Sequence, residues 1–418
     1  MGPRACKGAG VAATEHGAVG TRASTGSART GGLPFALSPS TGLRTGLSKR
    51  WYATIVSRWR ALLGTALAGS AAPTGAAVLP DDRAEATFHV YDGGGVRATG
   101  PAVLVRKSIA DRVSLSAQYY VDAVSNASID VVTYASPFKE TRTATDFGAD
   151  WLVRDTILSL SYNRSVEPDY IAEGVGLDVA TEVYGGMTTV SMGFTRSRDL
   201  VGKKLQPGWI DRALHWQYRA GLTQILSPRW LVSLNAEAVS DEGYLGSPYR
   251  AARVFGAAVL ERNPRTRSSR AIKLRSINDT SAIVPRSSFR AEYRYYRDNW
   301  DVKAHTAEIG VAKHLEPRLI AEALVRRYSQ TQALFYSDNA QAETVFVSRN
   351  RQLSTFHTTA VGAKLTYTWP GMPAGTELRL TGSVERKQFR FSNFTDLRTG
   401  RPYAYDANVV QVVVSGTF

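Results

Sequence analysis

Two sets of charged residues could do chemistry in this chain. One is acidic: Asp122, Asp130, Glu140, Asp169, Asp241, Glu242, Asp298 and Asp338. The other is basic. Arg250, Arg253, Arg262, Arg265, Arg267 and Arg270 fall in one stretch, with Arg294, Arg297, Arg326, Arg327, Arg349 and Arg351 elsewhere. Carboxylates and guanidinium groups pair bidentately. Such pairs can hold loops over a cavity, or the same ring can bind or select a solute; the residue types leave both readings open. Acid clusters can also take Ca²⁺, which needs about six to eight oxygens. No DxDxDG-type loop occurs, so no metal site is assigned.

Catalytic constellations are sparse. The histidines beyond position 80 are His89, His215, His305, His314 and His357, with no HExxH or HxxxH spacing among them. A hydrolase needs a histidine within reach of a serine and an orienting partner. His89, His305 and His357 fall in different hairpins. Gly93–Gly95 lacks a following Lys-Ser/Thr and precedes no helix, so it reads as a turn rather than a phosphate cradle. No catalytic or cofactor-binding residue is assigned and no cofactor is expected. The chain is read as a non-enzyme, with a barrel lipid hydrolase as a remote alternative.

Composition bounds what could position these residues. The chain has 418 residues, 43% of them hydrophobic, and no run of 18 apolar residues that could cross a membrane as a helix. Its mean hydropathy is −0.20. The net charge of +15 is uneven: residues 1–80 hold nine Lys/Arg and one acid, which leaves 42 basic and 35 acidic residues, or +7, after position 80. That split removes most of the case for a nucleic-acid partner. The single cysteine, Cys6, lies in the same leader, so the body can hold no disulfide. Residues 1–48 read as a disordered or mis-started leader. Residues 49–80 read as a signal region, with Lys49, Arg50, Arg58 and Arg60 ahead of the apolar Ala61–Ala72 and a small-residue patch. Residues 81–418 read as one domain.

That domain alternates strands and turns. Period-two segments are read at Ala84–Tyr91, Pro101–Lys107, Arg112–Val124, Thr143–Val153, Ile157–Ser165, Tyr170–Thr181, Thr188–Ser197 and Arg212–Ile225. Further ones are Trp230–Asp241, Ala271–Ile277, Ser287–Asp298, Val302–Lys313, Arg318–Gln330, His357–Trp369, Thr376–Phe391 and Ala407–Phe418. That makes about 16 strands. Every second connection is short, at 108–111, 154–156, 182–187, 226–229, 278–286, 314–317 and 370–375. Those between are often long, at 125–142, 198–211, 242–270, 331–356 and 392–406. A sandwich has no reason to sort loop lengths by parity. An all-β, antiparallel up-and-down transmembrane barrel does, with short periplasmic turns on one rim and long outer loops on the other.

The last strand carries the closing signal. Val410, Val412, Val414 and Phe418 share one face, Gln411, Ser415 and Thr417 the other, and the chain ends on the aromatic. A terminal strand of this kind predicts pairing with the first strand, which removes both sheet edges, and marks Phe418 as a signal to the barrel assembly machinery. Phe289, Ala291, Tyr293 and Tyr295 alternate in the same way with Arg290, Glu292, Arg294 and Tyr296. In a barrel the apolar face meets outer-membrane lipid. Trp151, Trp230 and Trp369 near short turns, and Tyr119, Tyr293 and Tyr295 near long loops, then form two interfacial levels.

Local motifs sharpen this reading. They are YDGGG at Tyr91–Gly95, TGPAVLVRK at Thr99–Lys107, YYVDAVSNASIDVVTYASPFKE at Tyr119–Glu140, DEGYLGSPYRAAR at Asp241–Arg253, PRTRSS at Pro264–Ser269, YRYYRDNW at Tyr293–Trp300 and RRYSQTQALFYSD at Arg326–Asp338. In this order, over Ala84 to Phe418, they resemble the DUF3570 family, outer-membrane β-barrel proteins of Gram-negative bacteria without an established function. The resemblance implies an outer-membrane location and a small envelope lipoprotein as a partner, in envelope work linked to flavin and redox chemistry. The chain departs from the family in its long leader and in the stretch KLRSINDTSAIVP (Lys273–Pro285), which predicts a broken strand between Arg270 and Arg290.

The expected site is a charge network of the lumen and loops: Asp122, Asp130, Glu237, Asp241, Glu242, Arg250, Arg253, Arg265, Arg267, Glu292, Arg294, Glu322 and Arg326. The arginine-rich connection Glu242–Arg270 is expected to fold inward, pair with Glu237, Asp241, Glu292 and Glu322, and narrow a channel. A transport or structural barrel is the leading reading, and a partner-binding envelope barrel the alternative.

Overall fold

A computed structural model describes residues 77–126, 138–203, 206, 208–373 and 375–418. The expected leader, the signal region up to residue 76 and Asp130 lie outside the described residues. The first nine strands are β1 (Arg83–Gly93), β2 (Val96–Ile109), β3 (Val113–Asn126), β4 (Phe138–Val153), β5 (Thr156–Glu167), β6 (Tyr170–Val183), β7 (Thr188–Gly202), β8 (Ile210–Ser227) and β9 (Trp230–Gly243). The others are β10 (Ala251–Val254), β11 (Ala257–Leu260), β12 (Thr266–Asp279), β13 (Ser287–Asp298), β14 (Lys303–Glu316), β15 (Leu319–Gln330), β16 (Phe356–Thr368), β17 (Glu377–Asp396) and β18 (Arg401–Thr417). Sixteen of them close into an antiparallel up-and-down barrel, while β10 and β11 form a small hairpin inserted between β9 and β12. The seam is the one expected: β18 lies against β1 in unbroken register, from Arg83 opposite Thr417 to Gly93 opposite Ala407.

Side-chain direction decides between sandwich and barrel. Val410, Val412 and Val414 are 43%, 44% and 43% exposed, while Gln411 between them is 5% exposed. The same inversion runs round the wall. Phe88, Leu160, Met192, Leu234, Ile272, Ile309, Val361 and Val384 face outward and are exposed. A water-soluble sheet would bury that face, because apolar burial is the main force for folding. Here the apolar face is the outside of a closed wall and the polar face is the inside. Trp151, Trp230 and Trp369 are exposed at the end with short turns, and Tyr119 and Tyr293 at the other.

The longest connections fall on one rim, though 94–95, 168–169 and 299–302 on that rim are as short as the turns below. The lower rim carries 110–112, 154–155, 184–187, 228–229, 280–286, 317–318 and 369–376, and the upper rim carries the two long connections 244–265 and 331–355. The first upper hairpin turns on Gly94 and Gly95, at φ 61° and 78°, the conformation that a two-residue turn between right-twisted strands requires. Two expectations need correction. The long loop expected at 392–406 is a four-residue tip at 397–400, because β17 and β18 continue above the barrel. Their inward aromatics, Phe389, Phe391, Phe394, Tyr403 and Tyr405, pack together and carry the ladder past a register shift between Arg390 and Thr395. The strand expected to break after Arg270 is instead continuous: β12 pairs with both β9 and β13 along its length.

Candidate functional site

The inner wall is lined by paired charge. Arg290 donates to Glu308 at 2.7 Å, and the Nε of Arg326 reaches the same carboxylate at 2.7 Å. Arg326 lies 3.9 Å from Glu385, which lies 3.5 Å from Lys387. Arg275 holds Glu292 at 2.6 Å, Lys364 holds Glu322 at 2.5 Å, and Arg106 pairs with Asp150. Pairing of this kind is what a charge needs when it leaves bulk water.

Glycines let some partners meet across an intervening strand. His89 on β1 and Asp122 on β3 both flank Gly100 of β2, where a Cβ would stand 1.7 Å from the Val121 carbonyl oxygen. With no side chain there, His89 Nε2 approaches Asp122 Oδ1 to 2.8 Å, and the Tyr120 hydroxyl donates to the same oxygen at 2.7 Å. Gly193 of β7 lies opposite both Asp178 and Arg219, and a Cβ on it would sit 1.9 Å from the Asp178 carboxylate. Arg219 therefore reaches across β7 and grips Asp178 at 2.8 and 2.9 Å. A third cluster needs no glycine. His215 is buried between Asp241, 2.7 Å from Nδ1, and Asp199, 3.1 Å from Nε2, and the Tyr170 hydroxyl donates to Asp199.

At the upper mouth the two long loops differ in how they are held. Loop 331–355 turns inward. Its short 3₁₀ turn, Arg351–Leu353, is capped by Asn350, whose side chain accepts from the Gln352 amide. The guanidinium of Arg351 lies 6.0 Å from the ring centre of the inward-facing Tyr405, and that of Arg349 lies 4.3 Å over Phe394. Gln330 clamps the returning chain by donating to the carbonyls of Gln352 and Ser354, both at 2.8 Å. Leu353, Ala333 and Tyr336 pack with Trp300, Val302 and the inward Tyr296. Loop 244–265 lies against loop 331–355 and against the upper ends of β6 to β8, where Tyr244 packs on Tyr170, Ala172 and Val201. Ala252 and Val254 of its hairpin pack on Ala340 and Val347. Arg262 and Val347 exchange backbone hydrogen bonds, both at 2.9 Å.

The expected network is in part wired differently. Glu237, Glu292 and Glu322 are held by wall residues: by Arg294 at 3.7 Å, by Arg275 and by Lys364. Asp241 meets His215 on one side and stands directly opposite Arg267 on the other. The reason is register. Arg275 stands opposite Glu292, His215 opposite Asp241 and Lys364 opposite Glu322, so each carboxylate meets its nearest cross-strand neighbour first. Among the loop arginines, Arg250 lies 3.6 Å from Glu261 and Arg253 donates to the Gly256 carbonyl, both inside the same loop. Arg265 pairs with Asp211 at 2.8 Å on the exposed rim. Arg267 is wholly buried, pairs with Asp298, and stacks 4.4 Å over Trp300. Glu242 and Arg270 face outward and are exposed.

Sequence reasoning missed the His89 and His215 clusters. Their signal was phase: Asp199, His215 and Asp241 all fall on the inward face of their strands. It also kept His305 and His357 apart. The register places both opposite Ser329 in one outward-facing row. His305 Nδ1 is bonded to the Tyr293 hydroxyl at 2.6 Å, and no hydrogen bond joins Ser329 to either histidine among the described residues. Among the described residues, no group of three or more His, Cys, Asp or Glu is arranged to hold a metal ion. Between the loops, a cavity of about 440 Å³ is lined by Trp300, Leu334, Phe335, Val345, Phe346 and neighbouring residues.

Comparison with solved structures finds distant similarities, all at TM-scores below 0.5. The siderophore receptor PirA from Pseudomonas aeruginosa aligns over 76% of this chain at 11% identity with a TM-score of 0.41; the alignment spans about 60% of that receptor's length. A bacterial polysaccharide outer membrane secretin aligns over 81% of this chain and 100% of its own, at 10% identity and a TM-score of 0.47. A FadL homologue from Pseudomonas aeruginosa aligns over 81% of this chain and 90% of its own, at 10% identity and a TM-score of 0.39. No curated protein matches the chain. The motif resemblance holds over the span that contains both long loops: residues 203–381 match the model of the DUF3570 family, described as a protein of unknown function.

Proposed function

We propose that this chain is an integral outer-membrane barrel that conducts small solutes, with access set by loop 331–355. The observation that carries the reading is the seating of Arg349–Ser354 on the inward aromatics of β17 and β18, above a wall of paired charge. A sixteen-strand barrel is wide enough to leave an aqueous path unless something covers it. The outward apolar band and the two aromatic levels support the outer membrane as its location. Envelope fractionation with a carbonate wash tests the location, and recovery in the soluble periplasmic fraction would sink it. Planar-bilayer recording tests the conduit. Replacing residues 333–353 by a short Gly-Ser linker is expected to raise conductance roughly twofold or more. Equal conductance, or silence from both proteins, overturns the assignment.

A second reading is favoured by the rim cavity, beside which Leu334 and Val345 are 73% and 77% exposed. Exposed apolar side chains around a concavity suit the docking of a partner. On this reading the loops present a surface to a small envelope lipoprotein. Co-purification with such a lipoprotein, abolished by Leu334→Asp, is its test; retention by the variant counts against it.

A further inference from the structure

The outward wall is free of charge only across its middle. Near the upper rim it carries arginine, and adjacent cations there share a carboxylate. Glu173 lies 3.3 Å from Arg164 and 3.2 Å from Arg198. Asp406 lies 2.8 Å from Arg386 and 2.9 Å from Arg390. One group breaks the pattern. Arg270 of β12 stands directly opposite Arg297 of β13, which stands directly opposite Lys303 of β14. Three cations thus occupy one row, spanning about 10 Å at the usual spacing between strands. Arg270 and Arg297 are exposed, and neither has a hydrogen bond or ion pair among the described residues. Lys303 has only Asp301, 3.3 Å away and 46% exposed.

Like charges directly opposite one another destabilise a sheet. Against three cations the protein supplies, among the described residues, one exposed carboxylate, Asp301, and none to Arg270 or Arg297. The height of the row says where a further counter-charge would come from. Tyr295 and Ile272 lie on the same outward face one step below Arg297 and Arg270, and Tyr293 one step further, at the aromatic level that marks a membrane interface. The cations therefore sit at head-group height. Guanidinium groups take phosphate oxygens bidentately, and the ammonium adds a point charge.

We infer that the row Arg270–Arg297–Lys303 binds the phosphate groups of an outer-leaflet lipid, with Tyr293 and Tyr295 beside its upper acyl chains. The inference rests on the outer-membrane placement and names the lipid chemistry that placement would meet. The test uses the full chain purified in a neutral detergent and titrated with lipid A carrying two phosphates, followed by native mass spectrometry. Combining Arg270→Gln, Arg297→Gln and Lys303→Gln is expected to weaken binding roughly tenfold or more. A charge-matched control, Arg97→Gln with Arg196→Gln and Arg212→Gln, removes isolated outward cations and leaves binding nearly unchanged. Equal loss in both triple variants reduces the row to general charge and overturns the site, as does equal binding of lipid A stripped of its phosphates. Displacement by millimolar inorganic phosphate alone assigns the row to a free anion and overturns the lipid assignment. Fractionation of the same variants is read separately. A chain that leaves the membrane fraction yet binds lipid A through this row refutes the location and not the site.

Discussion

The two long loops of the upper rim invite comparison because the arginine-rich one is not the one that reaches the lumen. Loop 244–265 leads into the arginines of the PRTRSS stretch, yet its contacts are with itself, with the rim and with the other loop. Loop 331–355 has fewer charges and more apolar anchors, and it is the one seated on the inner wall. Charge tells where a loop can find a partner. Burial of rings and aliphatic groups tells where it stays, because each exposed ion pair contributes only about 0–1 kcal/mol while a buried Leu or Phe contributes about 1.5–3 kcal/mol.

The largest effect expected from this contrast is on conductance. Excising Tyr249–Arg262 removes the β10–β11 hairpin but leaves Arg351–Leu353 on its aromatic seat. Conductance should rise much less than when residues 333–353 are replaced. Bilayer recordings in which the hairpin deletion opens the path as widely would return the gating role to loop 244–265.

Two arginines of one motif give a sharper contrast. Arg267 and Asp298 are both fully buried, and Asp298 also accepts from the Trp300 and Val302 amides, so Arg267→Met strands a carboxylate that has no water to turn to. The expected cost is about 3–5 kcal/mol, read as a shift in the urea midpoint of the folded band on gels. Arg265, two residues away, is 58% exposed in its pair with Asp211. Arg265→Ala is expected to cost about 0–1 kcal/mol. Comparable losses at the two positions would mean that the burial contrast does not govern this rim.

A smaller effect lies on the wall, where fixed strands hold partners that no loop touches. Gly193→Ala places a methyl group against the Asp178 carboxylate and pushes Arg219 aside. About 1–3 kcal/mol of destabilisation is expected, with no change in loop protection against protease. Protease cleavage of loop 331–355 in this variant would show that wall and loops are coupled.

How much of this was legible in the sequence follows from the range of each signal. Alternation is local, so all sixteen wall strands and the parity of their turns could be read, down to the seam at Val410–Phe418. The β17–β18 tip was misjudged because its strands are held above the barrel by aromatics facing one another, which a one-strand pattern does not reveal. The partners of Glu237, Glu292 and Glu322 were misassigned because pairing depends on register across strands far apart in sequence. His89 meets Asp122 only because Gly100 stands between them, and a glycine at an inward phase was the available clue. Loop 331–355 was read as a long connection with Asp338, Arg349 and Arg351 among the charges that could hold a loop; its apolar seat was not read, since Leu353 and Arg351 find their places on Trp300 and on Tyr405 of β18.

The lower rim supplies the counter-case, a contact held by an ion pair and hydrogen bonds rather than by buried rings. Where β1 and β18 close the seam, the Phe418 amide donates to the Asp82 carbonyl at 3.2 Å, and the Lys107 ammonium lies 5.0 Å from the Phe418 ring centre. Lys107 also holds the Asp82 carboxylate at 2.7 Å, and the Ser108 amide donates to it. The Lys107 hydrogen bond, followed by those from Ser108, holds the Asp82 carboxyl below the ordinary carboxylate range. A depressed folded value means that the clasp contributes fully above the unfolded value, about 3.9 for aspartate. It is lost as pH falls through the lower folded value. Acidification from pH 5 to pH 3 should therefore lower the protection factors, exchange measured against the intrinsic rate at each pH, at Ser108 and Phe418 while Leu353, held by apolar contacts, stays protected. Lys107→Gln should move the Asp82 titration upward and bring the loss of protection to higher pH. Protection lost at Leu353 together with Ser108 would show that both rims answer to charge, and the contrast between ion-held and ring-held contacts would fall.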